Sequence, residues 1–240
     1  SETRSDEGFW VAVLPFQFAG NPELATLADG LSEEIVRGLS RFSYLRVIAR
    51  SSTLRFASET SDVRTVGRLL GARYVMEGSV RQAGSTLRLA VQLIDANTAA
   101  HLWAETYDRS YRPEDLFALQ DDLVPRIVST VADQHGVLPH SMSEALRTRD
   151  PDLLSPYETV LRCFRYYEGV TETEHAVLRA ALERAVHQAP SNADCWAMLA
   201  IMYCDEHKFG FNQLPDSLGR ALTAAQRATE ISPTNPFAYE

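Results

Sequence analysis

The sequence predicts an α/β domain, a mixed sheet covered by helices, followed by an all-α domain of repeated helices. Up to about residue 136, short apolar runs alternate with segments whose apolar residues recur at helical spacing. After about residue 140 the strand pattern disappears. There, "APSNADCW" at 189–196 recurs as "SPTNPFAY" at 232–239, a period of 43 residues from Pro190 to Pro233. Such a period indicates stacked helix pairs.

The composition is that of a globular chain with enough apolar residues for a sizeable core. Of the 240 residues, 45% are hydrophobic and 23% are charged. No apolar run approaches the roughly 20 residues that span a bilayer, and the polar, acidic first residues are typical of neither a signal peptide nor a basic arm. The chain does not begin with methionine, so we expect an excised or processed piece of a longer protein. We expect it in the cytoplasm, or in the periplasm if a membrane segment precedes it.

The formal net charge of −9 disfavours nucleic acid as a partner, because an acidic chain repels phosphate backbones. A local basic patch is the alternative, although solvated arginines between core positions are the simpler interpretation. The candidates for such a patch are Arg46, Arg50, Arg55, Arg64 and Arg68.

The three cysteines are Cys163, Cys195 and Cys204. An odd and sparse count disfavours a disulfide framework and is typical of a reducing compartment. No histidine or third thiol lies at ligand spacing from Cys195 and Cys204, so free thiols in the core are expected rather than a metal site.

The first four elements alternate between strand and helix. "WVAVLPF" at 10–16 reads as a buried strand, and "LRVIAR" at 45–50 as a second one. Between them, 21–42 has apolar residues at helical spacing, with Ser32 as one candidate cap and Asn21 or Pro22 as an earlier start. The segment 61–71 predicts a second helix that Ser61 or Asp62 caps and Gly71 ends. Its apolar stripe consists of Val63, Val66, Leu69 and Leu70.

Three consecutive strands follow. Segments 73–82 and 86–95 flank Gly84, which supplies the turn conformation of a hairpin. In the second strand Leu87, Leu89, Val91 and Leu93 share one face, which is typical of a half-buried antiparallel strand. Asp95 and Asn97 form the next turn, and "HLWAETY" at 101–107 is the third strand.

A long helix over 113–136 completes the first domain, and Pro125 inside it predicts a kink or a break. Beyond it, 137–155 reads as a polar linker with a short helix at 141–147. We therefore place the α/β domain at 9–136 and the helical repeats at 156–240.

The helical half resembles the tetratricopeptide repeat. That motif has large residues on its first helix, small residues on its second, and a following proline. In the better copy these are Trp196, Leu199, Ala200, Tyr203, Ala221, Ala225, Ala228 and Pro233; in a looser copy they are Tyr157, Leu161, Phe164, Ala185 and Pro190. The insertion 207–217 lengthens the better copy, and Tyr239 stands where the next repeat would begin. One helix pair cannot bury its apolar face alone, so neighbouring pairs stack.

The first half resembles the amino-terminal domain of TolB and, more closely, the TolB-like domain of bacterial signalling proteins. "VAVLPF", "LADGLSEEIVRGLSRF", "VGRLLGARYVMEGSVRQAG" and "AAHLWAETYDR" carry the resemblance, in order, from residue 9 to about 135. It implies an α/β sandwich with a regulatory or assembly role and no catalytic residues. It also implies tetratricopeptide repeats after the domain and, often before it, an adenylate/guanylate cyclase, a winged-helix regulator or a kinase. One departure is Ala99, near which glycine is usual.

Catalytic and cofactor motifs are missing from the sequence. Neither GxGxxG nor GxxxxGK[ST] occurs, nor do HExxH or GxSxG. On one strand His101 and Glu105 lie roughly 13 Å apart, too far to share a metal ion or a substrate atom. Trp103 and Tyr107 on the same strand are either a recognition surface or, more simply, core residues under a helix. We expect no catalytic residue, no metal and no cofactor.

A groove on the repeats is the predicted binding surface. Such arrays usually take a peptide or protein segment along their first helices. By position in the motif, the groove residues are Asp194, Ala197, Ile201 and Asp205. Two carboxylates favour a basic or amine-bearing ligand.

These observations lead to a non-catalytic regulatory or protein-interaction piece of a bacterial signalling protein. An adenylate/guanylate cyclase whose catalytic domain lies elsewhere is the first expectation for the whole protein. The alternatives are the sensory region of a winged-helix transcription regulator and an envelope-assembly protein. The sequence leaves the oligomeric state open.

Overall fold

A mixed six-stranded sheet organises the first half of the chain. The structure is a computed structural model that describes residues 9–57, 62–235 and 237. The chain divides after Val137 into two compact units. The strands of the first unit are β1 Trp10–Val13, β2 Gln17–Ala19, β3 Arg46–Val47, β4 Tyr74–Ala83, β5 Thr86–Asp95 and β6 Ala100–Ser110. Its helices are α1 Leu24–Leu39, α2 Arg50–Thr53, α3 Val63–Leu70 and α4 Leu116–Ala132.

The strand order is β3-β1-β4-β5-β6, and β2 pairs separately with β4. β1 runs parallel to β3 and β4, and β2 runs parallel to β4. β4, β5 and β6 form an antiparallel meander. The mixed α/β class is therefore as predicted. The sequence pattern indicates neither β2, whose three residues are all exposed, nor the four-residue helix α2.

One face of the sheet packs against α1 and α4. The apolar stripe of α1 is fully buried at Leu27, Leu31, Ile35 and Leu39. The two helices approach closely where α1 carries glycine, because a Cβ on Gly38 would lie 2.7 Å from Val128 Cγ2. α1 begins at Leu24, and the Asn21 side chain accepts a hydrogen bond from the Glu23 N–H. The earlier start is thus correct; Ser32 is buried inside the helix and donates to the Asp29 carbonyl.

The other face carries a smaller core under α2 and α3. Its buried members are Ala12, Leu14, Ile48, Phe56, Val66, Leu70, Ala72, Val75 and Ala96. Leu69, predicted in the buried stripe of α3, is instead 59% exposed. Gly67 takes the inward position, where a Cβ would lie 2.5 Å from that of Ala96. Asp62 precedes α3 without a capping hydrogen bond, and the other predicted cap, Ser61, lies outside the described residues.

The turns of the meander follow the predicted chemistry. Gly84 has φ +59 in the β4–β5 hairpin. Asp95 Oδ1 accepts hydrogen bonds from the N–H groups of Asn97 and Thr98. Ala99 has φ +60, so an alanine rather than a glycine occupies the left-handed position of the β5–β6 turn.

A β-bulge divides the row His101, Trp103, Glu105 and Tyr107. Trp103, Glu105 and Tyr107 stand opposite Leu93, Val91 and Leu89 of β5. The pairing shifts between Leu93 and Ile94, so that His101 stands opposite Ile94. Because opposed residues of antiparallel strands share a face, His101 lies on the other side of the sheet from Trp103. Tyr107 is buried, as the core interpretation expects.

α4 runs without a break from Leu116 to Ala132, so the predicted break at Pro125 does not occur. Pro125 lies on the exposed face of the helix. There, water can hydrogen-bond to the carbonyl of Asp121, which proline leaves without its helical donor.

The second unit is helical throughout its regular structure. Its helices are α5 Val137–Leu146, α6 Pro156–Cys163, α7 Glu172–Gln188, α8 Ala193–Phe209 and α9 Ser217–Ile231. α5 buries Leu138, Met142 and Leu146, so the short helix predicted at 141–147 begins earlier and packs inward. α6 starts with a reciprocal capping box between Ser155 and Glu158.

The asparagines at matching positions of the 43-residue sequence period, Asn192 and Asn235, each accept a hydrogen bond from a backbone N–H shortly after them. Asn192 caps α8 by accepting from the Cys195 N–H, and Asn235 accepts from the Phe237 N–H. Tyr239, where the next repeat is expected to begin, lies outside the described residues, as do Pro236, Ala238 and Glu240.

Candidate functional site

The four predicted groove residues share one face of α8. Asp194, Ala197, Ile201 and Asp205 lie three or four residues apart along this helix. Their exposure differs, however. Ala197 is completely buried and Asp205 is 5% exposed, whereas Asp194 and Ile201 are half-buried. Of the four, only Asp194 and Ile201 can contact a ligand without a rearrangement of the helix packing.

Asp194 is engaged within the chain. Its Oδ1 accepts a hydrogen bond from the side-chain amide of Asn235, which is itself 3% exposed. The carboxylate therefore also fastens the segment that follows α9. A ligand at this position would meet a carboxylate that is already oriented by a buried amide.

Asp205 lies in a buried polar cluster rather than at the surface. Burial raises its pKa, and this effect outweighs the opposing influence of Lys208, Tyr166 and His175. Neither Asp205 Oδ2 nor the Tyr166 hydroxyl has a hydrogen-bond partner within the described residues. Of the two carboxylates predicted for the groove, only that of Asp194 is therefore accessible at the surface.

His175, fully buried in the same cluster, bridges α7 to the insertion after α8. Its Nε2 lies 2.9 Å from the Met202 carbonyl, which can only accept, so this nitrogen carries the proton. The Asn212 amide nitrogen lies 2.8 Å from the Glu172 carbonyl and 3.4 Å from His175 Nδ1. The segment between α8 and α9 is thus hydrogen-bonded to α7.

A second buried group fastens the same insertion. Glu206 is completely buried and forms ion pairs with Arg179 and Arg220. Arg179 Nη1 also donates to the Asn212 carbonyl at 2.8 Å, and Arg220 Nε donates to the Pro215 carbonyl at 3.2 Å. Sequence reasoning missed this network, because its three charged residues lie on three different helices and follow no periodic pattern.

A cavity of about 910 Å³ in the first unit lies on the sheet face opposite α1 and α4. Small side chains of the meander form its floor: Ser79, Ala90, Ala104 and Thr106. Leu14, Phe56 and Val66 line it from the smaller core, and the Gln92 amide donates to Glu77 at 2.8 Å within it. The only sequence signal for this cavity is the run of small residues on one face of three successive strands.

A groove of about 600 Å³ lies between α1 and α4. Phe117, which is 75% exposed, and Val124 supply apolar surface, and Arg37, Arg41 and Asp121 add charge along it. The exposed aromatic ring makes this groove a second candidate for contact with another protein.

The five arginines considered as a basic patch are held by separate local contacts. Arg50 forms an ion pair with Asp29, and Arg64 donates to the Thr98 carbonyl at 3.0 Å. Arg55 donates to the Leu69 carbonyl, and Arg46 lies over the Trp10 ring. Arg68 donates to the hydroxyl of Thr65 at 3.2 Å.

The part of the chain that the structure describes assembles no group of metal ligands. No three His, Cys, Asp or Glu side chains there could hold one metal ion. Cys163 and Cys195 are buried, as expected, but Cys204 is exposed, so the prediction of a core thiol is wrong for that residue. Desolvation raises the pKa of all three thiols, that of Cys195 to about 12, which favours the protonated form. Among the same residues, no helix combines the length and apolar character that crossing a bilayer requires.

One curated relative covers nearly the whole chain. It is a protein of Rhizobium meliloti (strain 1021) named "Putative adenylate cyclase 3", which is 36% identical over 228 residues. The alignment takes in 94% of this chain and 38% of the relative, so the chain spans well under half of that protein.

Several solved structures resemble about half of the chain. Lipoprotein GNA1162 from Neisseria meningitidis aligns with 52% of this chain and 100% of its own, at 13% identity and a TM-score of 0.38. TolB from Acinetobacter baumannii aligns with 50% of this chain and 27% of its own, at 15% identity and a TM-score of 0.34. At such TM-scores neither likeness bears on the fold or the function.

The family is given by a model that matches residues 7–126, half of the chain, and is described as "HilA/YgeH-like transcriptional regulator, second domain". The matched residues contain the whole six-stranded sheet with α1 and α3. The chain belongs to the HilA/YgeH-like transcriptional regulator second-domain family.

Proposed function

We propose that this chain is a non-catalytic regulatory and protein-interaction part of a bacterial adenylate/guanylate cyclase. The observation that carries the proposal is the 36% identity to a relative named as an adenylate cyclase, spread over 94% of this chain but only 38% of the relative. The larger part of the relative lies outside the match, and we place the catalytic domain in the corresponding part of the parent protein. A cytoplasmic location accords with that parent.

The alternative is the sensory region of a winged-helix transcription regulator. The family match favours it, because the matching model is described as the second domain of a transcriptional regulator. Both readings give the chain the same role, namely to control an effector domain elsewhere in the protein. They differ only in the effector.

We further propose that α6–α9 are tetratricopeptide repeats. Consecutive helices from α6 to α9 pack on one another, and α6 also contacts α8, as successive first helices of a repeat array do. The buried alanines of α9, Ala221, Ala224 and Ala228, leave room for the large side chains of α8. The half-buried Asp194 and Ile201 are then the accessible contacts for a peptide or protein segment.

Two experiments test the proposal. The first incubates the purified chain with ATP and GTP and measures cyclic nucleotides, of which we expect none. Turnover by this chain alone would overturn the non-catalytic role. Cyclase activity of the full-length parent separates the cyclase from the transcription regulator.

The second experiment tests the binding surface. The chain is used as bait, and the protein it retains is quantified for the double variant Asp194→Lys, Ile201→Glu and for the control Glu230→Lys. Glu230 is an exposed residue of α9, so the control replaces a carboxylate by lysine, as Asp194→Lys does, but away from the α8 face. We expect loss of the retained protein with the double variant only. Equal retention by all three chains would exclude the α8 face.

A further inference from the structure

β6, a strand of eleven residues, has one edge that no other described strand covers. β6 is the last strand of the sheet, and within the described residues no strand pairs with its outer side. Sheets usually shield such an edge with proline, a bulge or a covering segment. β6 contains no proline. Its bulge lies between His101 and Trp103, near the start of the strand and away from its centre.

The register identifies the backbone groups that point outward. The Tyr111 N–H donates to the Ser85 carbonyl at 2.9 Å, in register with the β5–β6 ladder. Hydrogen-bonded pairs alternate along an antiparallel ladder, so Arg109, Tyr107 and Glu105 bond to β5. The N–H and C=O groups of Ala104, Thr106 and Asp108 therefore point away from the sheet. All three residues are exposed.

We propose that this edge binds the β6 edge of a second copy of the chain, antiparallel, with the two-fold axis at Tyr107. In this register Glu105 stands opposite Arg109 of the second copy, twice by symmetry. The outward backbone groups of Thr106 bond to those of Asp108 of the second copy. Opposite charges that face each other across strands are favourable.

Neighbouring registers are disfavoured by the same side chains. A two-fold axis at Glu105 would place the two Glu105 carboxylates opposite each other. An axis at Asp108 would place the two Asp108 carboxylates opposite each other. An axis at Thr106 avoids like charges but forms no ion pair. Among these registers, only the one centred on Tyr107 brings opposite charges of the two β6 strands together. This self-complementarity favours a second copy of the chain over an unrelated peptide as the partner of the edge.

The expected association is weak. A strand pair of this length buries far less than the roughly 1,600 Å² of a standard stable interface. We expect a dimer with a dissociation constant of roughly 10 to 500 µM. The surface is separate from the α8 face, so the proposal goes beyond the proposed function and fails or holds independently of it.

Sedimentation velocity of the chain from about 5 µM to about 1 mM measures the association. Thr106→Pro removes an outward N–H in each copy, and an edge strand tolerates proline where the N–H faces solvent. We expect it to weaken the dimer about ten-fold or more, whereas Thr106→Val, which keeps the N–H, leaves the dissociation constant within about two-fold. Circular dichroism and thermal unfolding establish that the variants are folded, and Ala104→Pro repeats the test at a second outward N–H.

Charge reversal tests the register. Glu105→Lys would place two cations opposite each other at Arg109 of the second copy, and we expect it to weaken the dimer, most strongly at low salt. Glu105→Gln removes the repulsion and serves as the control. A chain that stays monomeric to about 1 mM, or a folded Thr106→Pro variant that dimerises like the wild type, would overturn the β6 interface. A Glu105→Lys variant with unchanged affinity would overturn the Tyr107-centred register.

Discussion

Glu206 and Arg220 form an ion pair in which the carboxylate of α8 is completely buried and the guanidinium comes from α9. Arg179 of α7 donates to the other carboxylate oxygen at 2.6 Å. The Glu206 carboxylate therefore connects three successive helices, α7, α8 and α9. Both arginines also hold the segment 210–216, which joins α8 to α9, through its backbone carbonyls.

Removing the charge of Glu206 should destabilise the second unit. Glu206→Gln keeps the shape of the side chain but leaves two largely buried guanidinium groups without their counter-ion. We expect a loss of about 3 kcal/mol in the free energy of unfolding, measured by urea denaturation. The control is Glu230→Gln, which breaks the exposed Arg227–Glu230 pair and should cost less than about 1 kcal/mol. Equal losses for both variants would contradict a special role of the buried carboxylate.

The same carboxylate should make the second unit sensitive to acid. Burial acts to raise the pKa of Glu206, but the hydrogen bonds from Arg179 and Arg220 outweigh it and lower the pKa below 4.5. A carboxyl with a depressed folded-state pKa contributes stability above its unfolded pKa, and this contribution is lost as the pH falls through the folded value. We expect the stability of the wild type and of Glu206→Gln to converge below pH 4.5. A constant difference from pH 7 to pH 3 would contradict the shift.

Replacing Ala99 by glycine should stabilise the first unit. Ala99 has φ +60 at the β5–β6 turn, a conformation that costs a non-glycine residue roughly 1–2 kcal/mol. Glycine removes this strain but gains freedom in the unfolded chain, so we expect a net gain of up to about 1 kcal/mol by thermal unfolding. The neighbouring Ala100→Gly, inside β6, should lose about 0.5–1 kcal/mol instead. A destabilised Ala99→Gly variant would show that the alanine methyl group contributes packing that exceeds its strain.

Local patterns predict the meander because each of its strands has one buried face. Leu87, Leu89, Val91 and Leu93 alternate strictly, and the structure buries all four. The bulge at Leu93–Ile94 leaves no such trace, since it depends on the pairing of two strands rather than on either sequence. For that reason the row from His101 to Tyr107, continuous in sequence, is divided between two faces.

The candidate site was predictable only in its helical spacing. The spacing of Asp194 and Asp205 places them on one face of α8. Their burial depends on distant residues: Asn235 holds Asp194, and Tyr166 and His175 surround Asp205. These contacts join residues 30 to 41 positions apart, and no periodic pattern in α8 reports them.

Leu69 and Leu70 of α3 should differ sharply in their contribution to stability. The stripe predicted from sequence contains both, but Leu70 is 5% exposed and Leu69 is 59% exposed, because Gly67 turns the helix face toward Ala96. We expect Leu70→Ala to cost about 2–4 kcal/mol and Leu69→Ala to change the free energy of unfolding by less than about 0.5 kcal/mol. Urea denaturation measures both. Similar losses of stability for the two variants would show that Leu69 contributes to the core as the sequence predicts.

Pro125→Ala should stabilise α4. Proline inside a helix costs about 3 kcal/mol relative to alanine, because it removes one backbone hydrogen bond and clashes with the preceding turn. Part of that cost is offset in the wild type, since proline also restricts the unfolded chain by about 0.4–1 kcal/mol. Pro125 is exposed, so alanine creates no cavity. We therefore expect a net gain of about 1–3 kcal/mol by urea denaturation.

Thr130→Ala, at another exposed position of α4, is the control for Pro125→Ala and should change stability by less than about 0.5 kcal/mol. Pro125 also lines the groove between α1 and α4, beside Phe117 and Val124. If Pro125→Ala lowers the free energy of unfolding, the pyrrolidine ring must contribute packing in that groove that exceeds the cost of the lost hydrogen bond. In that case the proline is part of the groove surface, and its effect on the helix backbone is secondary.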